Sequence, residues 1–134
     1  MFKNKDNNKQ LILVAALLVH AAKIDENYTD VEKKIIKKAL ANLFKIETKK
    51  IDDILELAEK KEQESNQIIE FTREIKKNTM DFRLKIIEIL CEIVYSDGSN
   101  DNYESNLIRR VCGLLYISEK ESGDVKLKVK NLIK

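Results

Sequence analysis

Proline is absent from this chain of 134 residues, and glycine occurs only at Gly98, Gly113 and Gly123. A sheet of short strands needs frequent turns, and those turns draw on glycine, proline and asparagine for backbone angles that other residues avoid. With that punctuation missing, helices have to organise the apolar residues. Their spacing agrees. Ile51, Ile54, Leu55 and Ala58, and then Ile68, Phe71, Thr72 and Ile75, recur at intervals of three and four, which gathers each set on one helical face. A last helix is expected from Glu119 to Ile133. The fold class is therefore all-α, a single compact bundle of about seven helices.

A shift of 72 positions lays one part of the chain on another. Leu17, Leu18, Ala21 and Ala22 fall on Ile89, Leu90, Ile93 and Val94. The match continues with Asp25 on Asp97, Thr29 on Asp101, Glu32 on Glu104, Ile36 on Ile108, Leu40 on Cys112 and Leu43 on Leu115. The unit is a helix, a loop and a helix, used twice. The copies are expected to pack together through Leu17, Leu18, Ile36, Leu43, Leu90, Ile93, Ile108 and Leu115.

The repeat also bears on the N-terminus, where Lys3, Lys5 and Lys9 precede "LILVAALLVHAA" in the manner of a leader peptide. Asp6 interrupts the basic region, no small-x-small cleavage pattern follows, and the apolar run is shorter than the roughly 20 residues that cross a bilayer. Removing it would delete one helix of a matched pair. The expected organisation is a polar extension over 1–9 and a helical domain over 10–134, with no transmembrane segment.

The 25 basic and 23 acidic residues are interspersed, leaving a formal charge of +2 and no broad field to attract nucleic acid. Tryptophan is absent and aromatics make up 6% of the chain, so base-stacking platforms are not indicated either. Cys91 and Cys112 sit inside apolar runs without metal-ligand spacing and read as reduced, buried hydrophobes. His20 has no Ser or Cys partner in a recognisable motif, which makes it a packed or half-exposed helix residue rather than a general base.

The polar chemistry is concentrated in two loops, "AKIDENYTDVEKKII" and "YSDGSNDNYESNLIRR". Part of it is helix-start chemistry. Thr29 with Glu32, Asp101 with Glu104 and Ser118 with Glu121 have capping-box spacing, and Thr79 precedes a further helix. Asp25 and Asp97 are different, because each follows an apolar helix at the end where the helix dipole disfavours an acid. One reading is a turn in which the carboxylate accepts backbone N–H groups, with Gly98 in the left-handed conformation. The other groups Asp97, Asp101 and Glu104, with Ser99, as oxygen ligands of a divalent cation, matched by Asp25, Glu26 and Glu32. Calcium suits such hard ligands, although an EF-hand register from Asp97 puts Asn102 and Ile108 where glycine and a carboxylate belong. Arg109 and Arg110 divide similarly between pairing with nearby carboxylates and recognising an acidic protein partner.

The run "FTREIKKNTMDFRLKIIEILCEIVYSDGSNDNYESNLIRRVCGLLYIS", together with "AALLVHAAKIDENYTDVEKKII", resembles the bacterial tellurite-resistance TerB family, especially its small stand-alone members. The resemblance covers nearly the whole chain beyond the polar start. It implies an all-helical domain related to the N-terminal region of the co-chaperone DjlA. It also implies a place in cytoplasmic and membrane-linked stress-response complexes, with metal sensing and no established reaction. "KIDEN" stands where the family usually has an Asp-Gly pair. The function expected is a non-enzymatic module that binds partner proteins. The alternative is a small hydrolytic or other enzyme using the acidic-loop carboxylates, for which the chain offers no nucleophile motif and no phosphate-binding glycine loop.

Overall fold

The computed structural model describes residues 2–23, 28–64, 68–94 and 102–133. Its elements are α1 (Phe2–Lys23), α2 (Asp30–Phe44), α3 (Thr48–Glu64), α4 (Ile69–Ile75), α5 (Met80–Val94), α6 (Asn102–Leu114) and α7 (Glu119–Ile133). Among the described residues there is no strand, so the all-α expectation holds. α1 starts at Phe2, so the helix runs back through most of the polar start.

Two helices form the centre. In α1, Leu11, Leu13, Val14, Ala15, Ala16, Leu17, Leu18, Val19, Ala21 and Ala22 are all buried, as befits a helical stretch that is apolar on nearly every side. It packs against α2, α3, α4 and α5. α5 buries Ile86, Ile87, Ile89, Leu90, Cys91, Ile93 and Val94 and packs against α1, α2, α6 and α7. Of the residues expected to join the two copies, all are solvent-excluded except Leu43, which is half-buried against the core.

The repeat extends further in space than in sequence. α3 packs on α1 as α7 packs on α5, so each copy has three helices and α4 is the extra one. The shift that aligns the first two helices sets Ile51, Leu55 and Ala58 of α3 against Gly123, Leu127 and Lys130 of α7. That mismatch hides the third pair from sequence comparison.

The junctions show the same parallel. Lys45 after α2 and Tyr116 after α6 are left-handed, with φ of 52° and 57°, a conformation that costs a non-glycine residue about 1–2 kcal/mol. Each is followed by an isoleucine, Ile46 or Ile117, that packs on the core. At the second junction Ile117 N donates to Cys112 O at 2.9 Å and Tyr116 N to Gly113 O at 3.3 Å, the bond pair of a Schellman C-cap. Ser118 then opens α7 with a capping box: Glu121 N donates to Ser118 Oγ (3.1 Å) and Ser118 N to Glu121 Oε1 (3.2 Å). Thr79 accepts from Phe82 N at 3.3 Å.

Cys91 and Cys112 are free thiols and both are buried. Burial pushes the Cys91 thiol up to about 12. Cys112 is also raised by burial, against the opposing effect of its hydrogen bond to Ser122 Oγ at 3.4 Å. Thiols held in this form are poor nucleophiles.

Candidate functional site

The C-terminal end of α1, the start of α2 and the second half of α3 bring a polar cluster together. Thr29 is the N-cap of α2, with extended backbone angles and a complete capping box. Its N–H and hydroxyl both donate to Glu32 Oε1, at 2.8 and 3.0 Å, while Glu32 N donates to Thr29 Oγ1 at 3.2 Å. Glu32 is buried, and its carboxylate is there to serve the helix start.

Glu62 of α3 reaches back to the last turn of α1. Its Oε2 lies 3.1 Å from His20 Nδ1 and its Oε1 accepts from Lys23 Nζ at 2.9 Å. One carboxylate therefore bridges two basic groups three positions apart on one helical face. Tyr28 lies half-buried nearby, with Lys33 Nζ 4.8 Å from its ring centroid, a cation–π distance. Its hydroxyl is shielded from water, lies near the Glu59 carboxylate and makes no hydrogen bond within standard geometry among the described residues. Burial first, and then Glu59, raise the phenol above its ordinary range. With His20 held by Glu62, the cluster is a polar lock between α1 and α3.

Of the six carboxylates expected as metal ligands, Asp25, Glu26, Asp97 and Asp101 lie outside the described residues. Glu104 lies in α6, but its side chain is also outside them. Glu32 is the one whose side chain is described, and its Oε1 accepts from the Thr29 N–H and hydroxyl. Among the described residues, no group of three or more His, Cys, Asp or Glu is arranged to hold a metal ion.

Arg109 and Arg110 are exposed on α6, and neither has an ion-pair or hydrogen-bond partner among the described residues. Arg109 borders a pocket of about 540 Å³ between α6 and α7, with Lys126 across from it and Cys112 and Ser122 in its wall. Two of the chain's three glycines, Gly113 and Gly123, also line this pocket. A Cβ built on either would meet nothing within 4 Å, so close helix packing is not what requires glycine there. Lys126 was not singled out by sequence reasoning, because it faces Arg109 only through the α6–α7 turn.

A second recess, a groove of about 450 Å³, runs between α2 and α5. Ile35, Ala39 and Leu43 of α2 and Ile89 of α5 give it apolar walls, and Lys38, Lys85, Glu88 and Glu92 give it charge. Glu88 pairs with Lys128 of α7 at 3.3 Å. Glu92, one turn on, makes no hydrogen bond or ion pair among the described residues; burial first and Glu88 second raise its pKa, against the lowering effect of Lys38 and Lys128.

Among the described residues, no helix is long and apolar enough to cross a membrane. Comparison with curated proteins and with solved structures finds no match. The family described as Tellurite resistance protein TerB matches residues 11–127, a span that takes in both copies of the repeat and the pocket and groove between their helices. On that match, the chain belongs to the TerB family.

Proposed function

We propose that this TerB-family chain is a non-enzymatic cytoplasmic module that binds an acidic protein partner in a stress-response complex. The observation that carries the reading is the pair Arg109 and Lys126, two cations without a hydrogen-bond or ion-pair partner among the described residues, at a pocket whose lining also includes the single carboxylate Glu119. Arginine suits the carboxylates of such a partner because its planar fork binds them bidentately.

The test is affinity capture from the source cell with wild-type bait, an Arg109→Glu/Lys126→Glu bait, and Lys49→Glu as a charge control on α3. One or more identified proteins retained by the wild type and the control, released by salt and lost with the double reversal, is the expected result. Identical protein sets on all three baits would remove the reading.

A divalent ion at the acidic loops is the finer form of this function. It is supported by the hard oxygen chemistry of Asp25, Glu26, Glu32, Asp97, Asp101 and Glu104. Binding to the folded state alone raises stability by about 2.7 kcal/mol at a hundredfold excess over Kd. Millimolar calcium should accordingly raise Tm, and a titration with neither heat nor a shift in melting would discard the ion.

A further inference from the structure

The first copy of the repeat shows what the α6–α7 pocket lacks. The left-handed residues Lys45 and Tyr116 occupy the same place after α2 and α6, and they are 71 positions apart instead of 72. The second copy is one residue shorter up to that junction, so α7 aligns on α3 with a shift of 71. This register sets Ile51, Ile54 and Ala58 on Ser122, Val125 and Val129. All six are buried or packed on the core, so the third helices match face for face.

The seam between the second and third helices differs in chemistry. α2 packs along α3, and Lys37 Nζ reaches Asp52 Oδ1 across the seam at 2.8 Å. Arg109 of α6 is the counterpart of Lys37, but the counterpart of Asp52 is Gly123. The cation is kept and its carboxylate is gone. Leu40, Ile51 and Leu55 of the first seam correspond to Cys112, Ser122 and Lys126, so apolar volume is lost as well. Among the described residues α6 and α7 do not pack along each other, and the pocket of about 540 Å³ lies where the first copy is closed. Glu119, the one carboxylate in its lining, lies in the first turn of α7, where the helix dipole favours an acid. It makes no ion pair with Arg109 or Lys126 among the described residues.

We propose that this pocket receives an Asp or Glu side chain of a partner protein, from a segment with a branched aliphatic residue beside the acid. The partner then supplies to Arg109 what Asp52 supplies to Lys37. Arginine holds a carboxylate through two parallel N–H donors, and Lys126 adds a second cation where the first copy has Leu55. The aliphatic neighbour takes up the volume that Leu40 and Ile51 fill in the first copy, against Ile117 in the pocket wall. This rests on the acidic-partner reading and adds which groups of the partner are read.

The experiment selects a phage-displayed random-peptide library on the immobilised full chain and measures the enriched peptides by fluorescence anisotropy. Enrichment of sequences with Asp or Glu next to Ile, Leu or Val is expected. Gly123→Asp returns the carboxylate from within, at a position where an added Cβ meets nothing within 4 Å. It should weaken the peptides by about tenfold or more, as loss of a charge-assisted contact implies. Gly123→Ala adds the Cβ without the charge, Asn131→Asp adds the charge elsewhere on α7, and both should bind as the wild type does. Melting checks that all three variants fold. Affinity unchanged in Gly123→Asp, or reduced equally in either control, overturns the proposal. If that happens while Arg109→Glu/Lys126→Glu still abolishes binding, the acidic-partner reading stands and only this inference falls. Enrichment of peptides without an acid, or no enrichment, counts against both.

Discussion

The two copies of the repeat follow the same path and differ in what covers them. α1 is enclosed by α2, α3, α4 and α5, whereas α5 keeps a groove open beside α2. The polar links differ as well. In the first copy Glu62, with a side chain only 12% exposed, ties α3 to two basic groups of α1; in the second, Glu88 meets a largely exposed Lys128. Duplicated helix patterns thus give a closed half and an open half, and the surplus helix α4 makes much of that difference.

The hydrophobic centres are the place to look for what the copies share. Leu17→Ala and Leu90→Ala should each cost about 2–5 kcal/mol in urea unfolding, the range for a buried leucine replaced by a cavity. A loss below about half a kcal/mol at Leu90 would mean that the second copy has no core of its own. A smaller asymmetry is expected in the polar links. Glu62→Gln weakens two charge-assisted contacts and should cost about 1–2 kcal/mol, while Lys128→Ala should stay within about 0.5 kcal/mol, as exposed pairs do. Equal losses would erase the distinction between a locked and an open copy.

The left-handed junction residues sharpen the comparison at finer scale. Lys45→Gly should stabilise by up to about 1 kcal/mol by removing the steric cost of a Cβ in that conformation. Tyr116→Gly gains the same relief and loses the contact of its ring with Lys76 Nζ, 4.9 Å from the centroid. An exposed cation–π contact is worth about 0.5–1 kcal/mol, so the second substitution should be nearly neutral by thermal melting.

The smallest effect belongs to Glu92. Its folded-state pKa is raised, so the native state holds this proton more tightly than the unfolded chain does. Its contribution falls as pH rises from the unfolded value through the folded one. Glu92→Gln should then give a slightly higher Tm at neutral pH and no advantage at a pH below the ordinary glutamate range. A benefit that persists in acid would assign the effect to something other than the carboxylate's charge.

Much of the architecture was legible from local pattern. Intervals of three and four residues place Ile51, Leu55, Phe71 and Ile75 on buried helix faces, and the spacings Thr29–Glu32 and Ser118–Glu121 mark helix starts that form complete caps. These are interactions within one or two turns, so the chain's own order specifies them. The site was less legible. Glu59 and Glu62 look like ordinary solvent-facing residues of α3 until Tyr28, His20 and Lys23 are brought against them, and Lys126 gains meaning only opposite Arg109.

By itself the sequence determined that the chain is helical, that a helix-loop-helix unit recurs, and which apolar residues go inside, because each follows from periodicity and from the lack of turn residues. Only the tertiary structure decided that α3 and α7 are also counterparts, that α4 covers one side of the molecule, and that a groove stays open between α2 and α5. Those facts depend on which faces meet across long separations in the chain, where burial is set by the neighbour and not by the residue's own spacing.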